Sequence, residues 1–473
     1  MISIIINVSF LLIHPAVAPW VCTRSCPVGC TCSQEESFTV LCDRIGLTAL
    51  PGKFPCEASS INLDKNSLTF LSERAFGTLP TLRSLSLQYN NLSFITPGAF
   101  KGLPNLVELL MGHNEYVRHL HTHTFTSLRR LTHLDLSHCN LLSIPNRIFQ
   151  EQTVLQKLLC FQNNFRRIPG ALRGMESLTH VYLERNRIEA VAYNSLLGLS
   201  NLRALNLQEN RISILHEKAF QDLCNLENFN LNDNLLADLP DQSFKGLWHL
   251  KMLNLGGNLL TSVFRTWFSD LVELEVLYLD RNRLSYIEEG AFENLTSLIT
   301  LHLNSNNLTT LPFSVFQPIY FLGHLYVFRN PWECDCNLEW LQIWMESYRL
   351  VRDIPCVSPS SVAGLDLSEV VYFRSGGECL DPEELNLTTL ALPTGSWGFN
   401  STKNHFGSML SKLQQNSQEL NASEGLNNTV LDQVVGPMSG VASYIYDSQI
   451  VLPLLVLVVF SLVVMGSQSA GIS

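Results

Sequence analysis

One frame of residues returns twelve times in this chain, and it limits the fold more than any other property of the sequence. In the stretch Leu274-Glu-Val-Leu277-Tyr-Leu279-Asp-Arg-Asn282-Arg-Leu284 it reads L-x-x-L-x-L-x-x-N-x-L. Its asparagine position recurs at Asn66, Asn90, Asn114, Cys139, Asn163, Asn186, Asn210, Asn234, Asn258, Asn282, Asn306 and Asn330, at spacings of 23 to 25 residues. A unit of that length cannot bury its own apolar edge. Copies must therefore stack, and stability becomes a sum of repeat and nearest-neighbour contributions.

The frame is the leucine-rich repeat signature. Its leucines are spaced so that a short strand, Leu277 to Leu279 in this copy, turns alternate side chains into a shared core. The asparagine falls where the chain bends, and its amide can donate to and accept from backbone groups that no regular element satisfies. The expected fold class is an α/β solenoid, a leucine-rich repeat horseshoe with a concave parallel β-sheet and disulfide-bonded N- and C-terminal caps. Its expected divisions are a signal peptide (1–18), a Cys-rich N-terminal cap (19–57), about twelve repeats (58–331), a Cys-rich C-terminal cap (332–380), a glycosylated flexible stalk (381–438) and an anchoring segment (439–473).

Cysteine placement fixes the compartment. Of 13 cysteines, six lie between Cys22 and Cys56, four between Cys334 and Cys379, and three inside the array. Cysteines gathered at both ends of a solenoid read as staples over exposed core edges, which needs an oxidising compartment. The apolar run Ile4 to Ile13 followed by Ala16-Val-Ala18 suits a signal peptide. Charged residues are 15% of the chain and the net charge is −11. No basic run occurs, which argues against nucleic acid as a partner. No nucleophile–base pattern or metal motif recommends an enzyme or a cofactor.

Several features carry two readings. Six N-terminal cysteines allow fifteen pairings, and a zinc site rivals a disulfide cap there. Cys139 at a ladder position, Cys160 at a core-leucine position and Cys224 beside Leu226 read as buried unpaired thiols rather than redox groups. His119, His121 and His123 alternate as metal ligands on one face of an extended segment would, but Leu120 and Phe125 take the core positions there, which leaves the histidines in a solvated loop.

The informative surface is the concave sheet face. Its outward positions hold Phe161, Tyr182, Glu184, Tyr278, Asp280, His302, Tyr326 and Phe328, beside the smaller Ser84, Ser86, Asn228, Asn230 and Asn232. Rigid exposed aromatics are typical anchors of protein interfaces, so Phe161, Tyr182, Tyr278, His302, Tyr326 and Phe328 are the candidate partner-binding residues. Sequons lie at Asn91, Asn294, Asn307, Asn386, Asn400, Asn421 and Asn427. Asn91 and Asn307 follow ladder asparagines, so glycans there leave the concave face open.

The chain ends in the apolar run Ile450 to Met465 and an uncharged tail. A spanning helix needs about 20 apolar residues and usually a cytoplasmic Lys/Arg cluster. The small residues Ser439, Gly440 and Ala442, a polar spacer and an apolar tail favour a glycosylphosphatidylinositol-anchor signal, with a single tilted span as the alternative.

Cys26-x3-Cys30-x-Cys32-x9-Cys42 resembles the N-terminal cap of extracellular leucine-rich repeat proteins, which implies the pairs Cys26–Cys32 and Cys30–Cys42, with Cys22–Cys56 as a third. Asn330-Pro-Trp332-x-Cys334-Asp-Cys336 with Cys356 and Cys379 resembles the C-terminal cap of cell-surface members, which implies Cys334–Cys356 and Cys336–Cys379. Beyond the generic frame, Glu73 to Pro80, Asn90 to Pro104, Pro169 to Gly174 and Asp381 to Thr389 resemble the small leucine-rich repeat glycoproteins of retinal ON bipolar synapses. That resemblance implies a non-enzymatic protein on the extracellular face of the plasma membrane, at postsynaptic dendritic tips. It also implies a role in visual signalling, placing a cation channel of the melastatin transient-receptor-potential type beside a metabotropic glutamate receptor, with other synaptic leucine-rich repeat proteins as further partners. The alternative is a secreted matrix protein that binds collagen or other matrix proteins.

Overall fold

A computed structural model describes residues 23–316, 319, 321–348, 354–375 and 378–381. Each repeat contributes one three-residue strand, and these add in parallel, one coil after the next, from Ser60–Asn62 through Val276–Tyr278 to His324–Tyr326. With the N-terminal hairpin Thr31–Gln34 and Phe38–Leu41 they form a 14-stranded sheet. The strand expected at Leu277 to Leu279 runs one residue earlier, over Val276–Tyr278. The chain already leaves the regular ladder at Leu279, although its amide still donates to the His302 carbonyl at 2.9 Å.

Behind the sheet the frame leucines form continuous rows, with Leu85, Leu205 and Leu277 at no more than 1% exposure. On the opposite wall a phenylalanine spine runs through Phe76, Phe100, Phe125 and Phe149, neighbouring rings lying about 6.1–6.2 Å apart. It resumes through Phe220, Phe244, Phe268 and Phe292 at similar spacing. Leu172 and Leu196 fill the two coils between these runs, the first of them in the short 3-10 turn Gly170–Leu172. Burying each such ring removes roughly 150–250 Å² from water, so the spine is a main source of inter-coil cohesion.

The ladder asparagines satisfy the bend they create. Asn234 Nδ2 donates to the carbonyls of Leu231 and Asn232 in its own coil at 3.0 and 3.2 Å, and to Leu207 of the preceding coil at 3.0 Å. Its Oδ1 accepts the Ile212 amide at 3.0 Å. The same pattern holds at Asn90, Asn210 and Asn258. Cys139 breaks it: its Sγ reaches only the Met111 carbonyl, at 3.3 Å.

Disulfides close both ends. Cys26–Cys32 and Cys30–Cys42 pin the hairpin that covers the first repeat. Cys56 is also disulfide-bonded, while Cys22 lies outside the described residues. At the other end Cys334–Cys356 and Cys336–Cys379 hold the helix Glu339–Tyr348 over the last coil. Asp335 accepts the Asn337 amide and starts the turn that leads into this helix. Trp340 packs 5.3 Å from Phe313 and Phe316 and donates from Nε1 to the Leu311 carbonyl. Trp344 also packs against the core, so the tryptophans roof the array.

Of the three cysteines inside the array, Cys139 and Cys160 are buried, but Cys224 is exposed. The reading of three buried thiols fails at Cys224 because it stands just after Leu223 on a turn, outside the leucine rows. Its Sγ faces the Ser200 carbonyl at 3.8 Å.

Candidate functional site

Adjacent parallel strands in register place equivalent residues of neighbouring coils side by side. Tyr278 therefore faces His302, and His302 faces Tyr326. Their rings stack at 4.3 Å in both steps, with interplanar angles of 18° and 6°. Phe328 stands half-buried two residues beyond Tyr326. Burial pulls the His302 imidazole below its ordinary value, against the opposing influence of Asp280 and Asn304, so the ring is neutral at pH 7. Burial likewise raises the Tyr278 phenol. The result is an uncharged, pre-stacked aromatic wall that costs little ordering entropy on contact.

Phe161 and Tyr182 belong to a separate patch about 20 Å away, since four strand spacings of about 4.8 Å intervene between Tyr182 and Tyr278. Phe161 meets the His138 ring edge-on at 5.7 Å. Lys157 Nζ lies 5.8 Å above the Tyr182 ring. Between the two patches the strands present amides instead, Asn206, Asn230 and Asn254, and Asn230 donates to Gln208 at 2.9 Å. The six candidate residues thus form two groups flanking an amide stripe.

Sequence reasoning missed three rings that adjoin the Phe161 group. Tyr89, His113 and His138 stack at 4.0 and 3.9 Å on the rim of the face, with Lys65 5.3 Å over Tyr89. They occupy the position just before the ladder residue, which takes a left-handed backbone in coil after coil, from Lys65 (φ 54) and Tyr89 (φ 55) to Arg329 (φ 55). That conformation turns the side chain out beside the strand rows, and strict alternation overlooks it. The signal available in the sequence was Tyr89, His113 and His138 at 24- and 25-residue spacing.

Glu184 sits between these features. Burial raises its carboxyl to about 7, and its Oε2 is buried without a hydrogen-bond partner. Asp280 is held by Arg281 at 3.0 Å. His119, His121 and His123 are exposed, beside the buried Leu120 and Phe125. Asn91 and Asn307 are exposed on the turn beyond the strands, and Asn294 is half-buried on a turn. Asn386, Asn400, Asn421, Asn427, Ser439 and Gly440 lie outside the described residues. Among the described residues no helix is long and apolar enough to cross a membrane.

A capped parallel-strand solenoid with an aromatic inner wall defines the class as the extracellular type of leucine-rich repeat protein. The leucine rich repeat family matches residues 57–115, 81–141, 129–188, 176–236, 224–284 and 272–331. Mouse nyctalopin is 66% identical over 412 residues, covering 85% of this chain and 87% of the relative. The chain belongs to the nyctalopin family of leucine-rich repeat proteins. Human platelet glycoprotein IX is 33% identical over 67 residues, 14% of this chain and 38% of the relative. Among solved structures, a chain of the complex of Latrophilin 3, Unc5D and FLRT2 aligns with a TM-score of 0.56 at 23% identity, over 73% of this chain and 98% of that one. A chain of the Drosophila Toll–Spatzle complex aligns at 0.52 and 19% identity, over 67% and 54%. These last two likenesses carry the fold alone. The chain is a cell-surface leucine-rich repeat protein of the secretory pathway whose business is protein binding.

Proposed function

We propose that this protein assembles or localises a postsynaptic cation channel together with a metabotropic glutamate receptor on retinal ON bipolar cells, through its concave face, and so supports visual signal transmission. The channel is of the melastatin transient-receptor-potential type, and other synaptic leucine-rich repeat proteins are further partners. The membrane holds the protein through a lipid anchor at Ser439 or Gly440, or through a single span. Glycans at Asn91 and Asn307 leave most of the concave face open.

The observation that carries this reading is the Tyr278–His302–Tyr326 stack, with both ring steps at 4.3 Å on a rigid sheet. Stacked, immobile aromatics give large contact area at small entropic cost, which is the behaviour of interface anchors. Kinship to nyctalopin supports the synaptic setting.

Replacing Phe161, Tyr326 and Phe328 together with alanine tests it. Channel clustering in cells that express the full chain is expected to be lost while surface expression is retained. Unchanged clustering removes this face as the contact. Treating the same cells with a phosphatidylinositol-specific phospholipase releases the protein if it is lipid-anchored, whereas spontaneous appearance in the medium favours a matrix protein.

A further inference from the structure

The absence of a basic run in the sequence conceals a basic pocket in the fold. Where the strands of successive coils turn off the concave sheet, a cavity of about 570 Å³ collects Arg118, Arg185, Arg187 and Arg211. That volume lies within the roughly 300–1,000 Å³ of pockets that hold ligands. Four arginines line it in a chain of net charge −11, and the only carboxylate lining the cavity is Glu115. Glu209 holds Arg185 Nε at 3.0 Å. Among the described residues, Arg118, Arg187 and Arg211 make no ion pair within 4.0 Å.

The shape follows from the coils. The lining residues lie at or beside the ladder positions 114, 139, 163, 186 and 210, five consecutive coils, so the site is a trough about 20 Å long at about 4.8 Å per coil. Arg118 marks one end and Arg187 and Arg211 the other. Asn140 and Asn164, hydrogen-bonded to each other, line the middle. Tyr116, 60% exposed, stands at the rim.

We propose that this trough binds a linear sulfated polysaccharide of the extracellular space. A sulfate presents the fork of oxygens that a guanidinium pairs with in bidentate fashion. The side-chain amides between the arginines can donate to and accept from sugar hydroxyls. A length of about five coils suits a repeating polyanion and is more than a single small anion needs. An acidic polypeptide would supply charge, but protein contacts draw their energy from buried apolar anchors, and Tyr116 is the only large aromatic in the lining besides His138. The disulfides put the protein in the compartment where sulfated chains occur. The trough is separate from the Tyr278–His302–Tyr326 wall, and it borders the Phe161 group through His138, which lines it.

The test uses the purified full chain and a fluorescent heparin octasaccharide as the probe. Binding is expected, weakening as salt is raised, and Arg187→Gln with Arg211→Gln should reduce affinity at least tenfold. Arg187→Lys with Arg211→Lys should keep part of it. Arg283→Gln, at the equivalent frame position outside the trough, should leave it unchanged. Failure of the unaltered chain to bind, full binding by the double glutamine variant, or equal loss with Arg283→Gln overturns the site. Competition by poly-aspartate as strong as that of heparin, or equal binding of desulfated heparin, overturns the assignment of a sulfated sugar.

Discussion

Arg281 reaches over an entire intervening coil to Asp233, with Nη1 3.1 Å from Oδ1 and Nη2 2.9 Å from the Oδ1 of Asn232. The reach exists because the coil between them carries Gly256 and Gly257 where its neighbours carry side chains. A Cβ on Gly257 would fall 2.0 Å from Asp233 Oδ1, so the carboxylate must leave. The left-handed backbone at Gly257, φ 64, adds a cost of its own, although Asp233 and Arg281 bear the same conformation at φ 53 and 52.

Gly257→Ala should therefore destabilise the protein by about 2 kcal/mol, the sum of the left-handed backbone cost and a displaced partly exposed ion pair. In an Asp233→Ala background the same change should cost less, because the clashing oxygen is gone. Thermal melting of the four combinations checks this. Additive effects would show that the bridge and the glycine are independent.

The ladder predicts an asymmetry between two of its members. Asn234→Ala leaves the Ile212 amide without its acceptor and takes one of two donors from each of the carbonyls of Leu207, Leu231 and Asn232, a loss of about 2–3 kcal/mol. Cys139→Ala removes one weak thiol contact to Met111 and should cost about 1 kcal/mol or less. Denaturant unfolding of the two variants gives the comparison, and equal losses would mean that the amide does no more than fill space.

How much of this was legible in the sequence follows from what the repeat encodes. The leucine frame fixes which residues face inward, so the sheet, Asn66 to Asn330 as its ladder, and the outward place of Tyr278, His302 and Tyr326 could be read directly. Residues that meet only through stacking could not be. Arg118, Arg187 and Arg211 are far apart in sequence, and only the coil pitch brings them to one trough. Tyr89, His113 and His138 escaped because a left-handed residue breaks the alternation used to sort faces. The phenylalanine spine was visible as a 24-residue recurrence from Phe220 to Phe292, yet its packing on the wall opposite the sheet depends on the return path of each coil.

Glu184 gives the protein a pH-dependent weakness. Burial raises its folded-state carboxyl from 4.5 to about 7, so folding favours the protonated form. No penalty exists below about pH 4.5. It builds as pH rises toward 7 and stays in full above that. At about 1.4 kcal/mol per pH unit, the penalty reaches at most about 3 kcal/mol. Glu184→Gln should raise Tm at about pH 8 and leave it unchanged at about pH 4.5, as scanning calorimetry would register. A gain of the same size at both values would place the effect in packing instead of charge.

The central claim is that the concave wall carries the partner contacts, and a glycan placed on it is the most direct probe. Asn230→Thr turns Asn228-Phe229-Asn230 into a sequon whose asparagine is an exposed strand residue of the same concave coil, beside the amide stripe between the two aromatic groups. Capture of the channel and receptor by the full chain at the cell surface is the measurement, with glycan occupancy read from the shift in mass. The account predicts that the occupied variant reaches the surface and captures neither partner, while glycans at Asn91 and Asn307 have no such effect. Capture at the unaltered level with Asn228 fully glycosylated would contradict it.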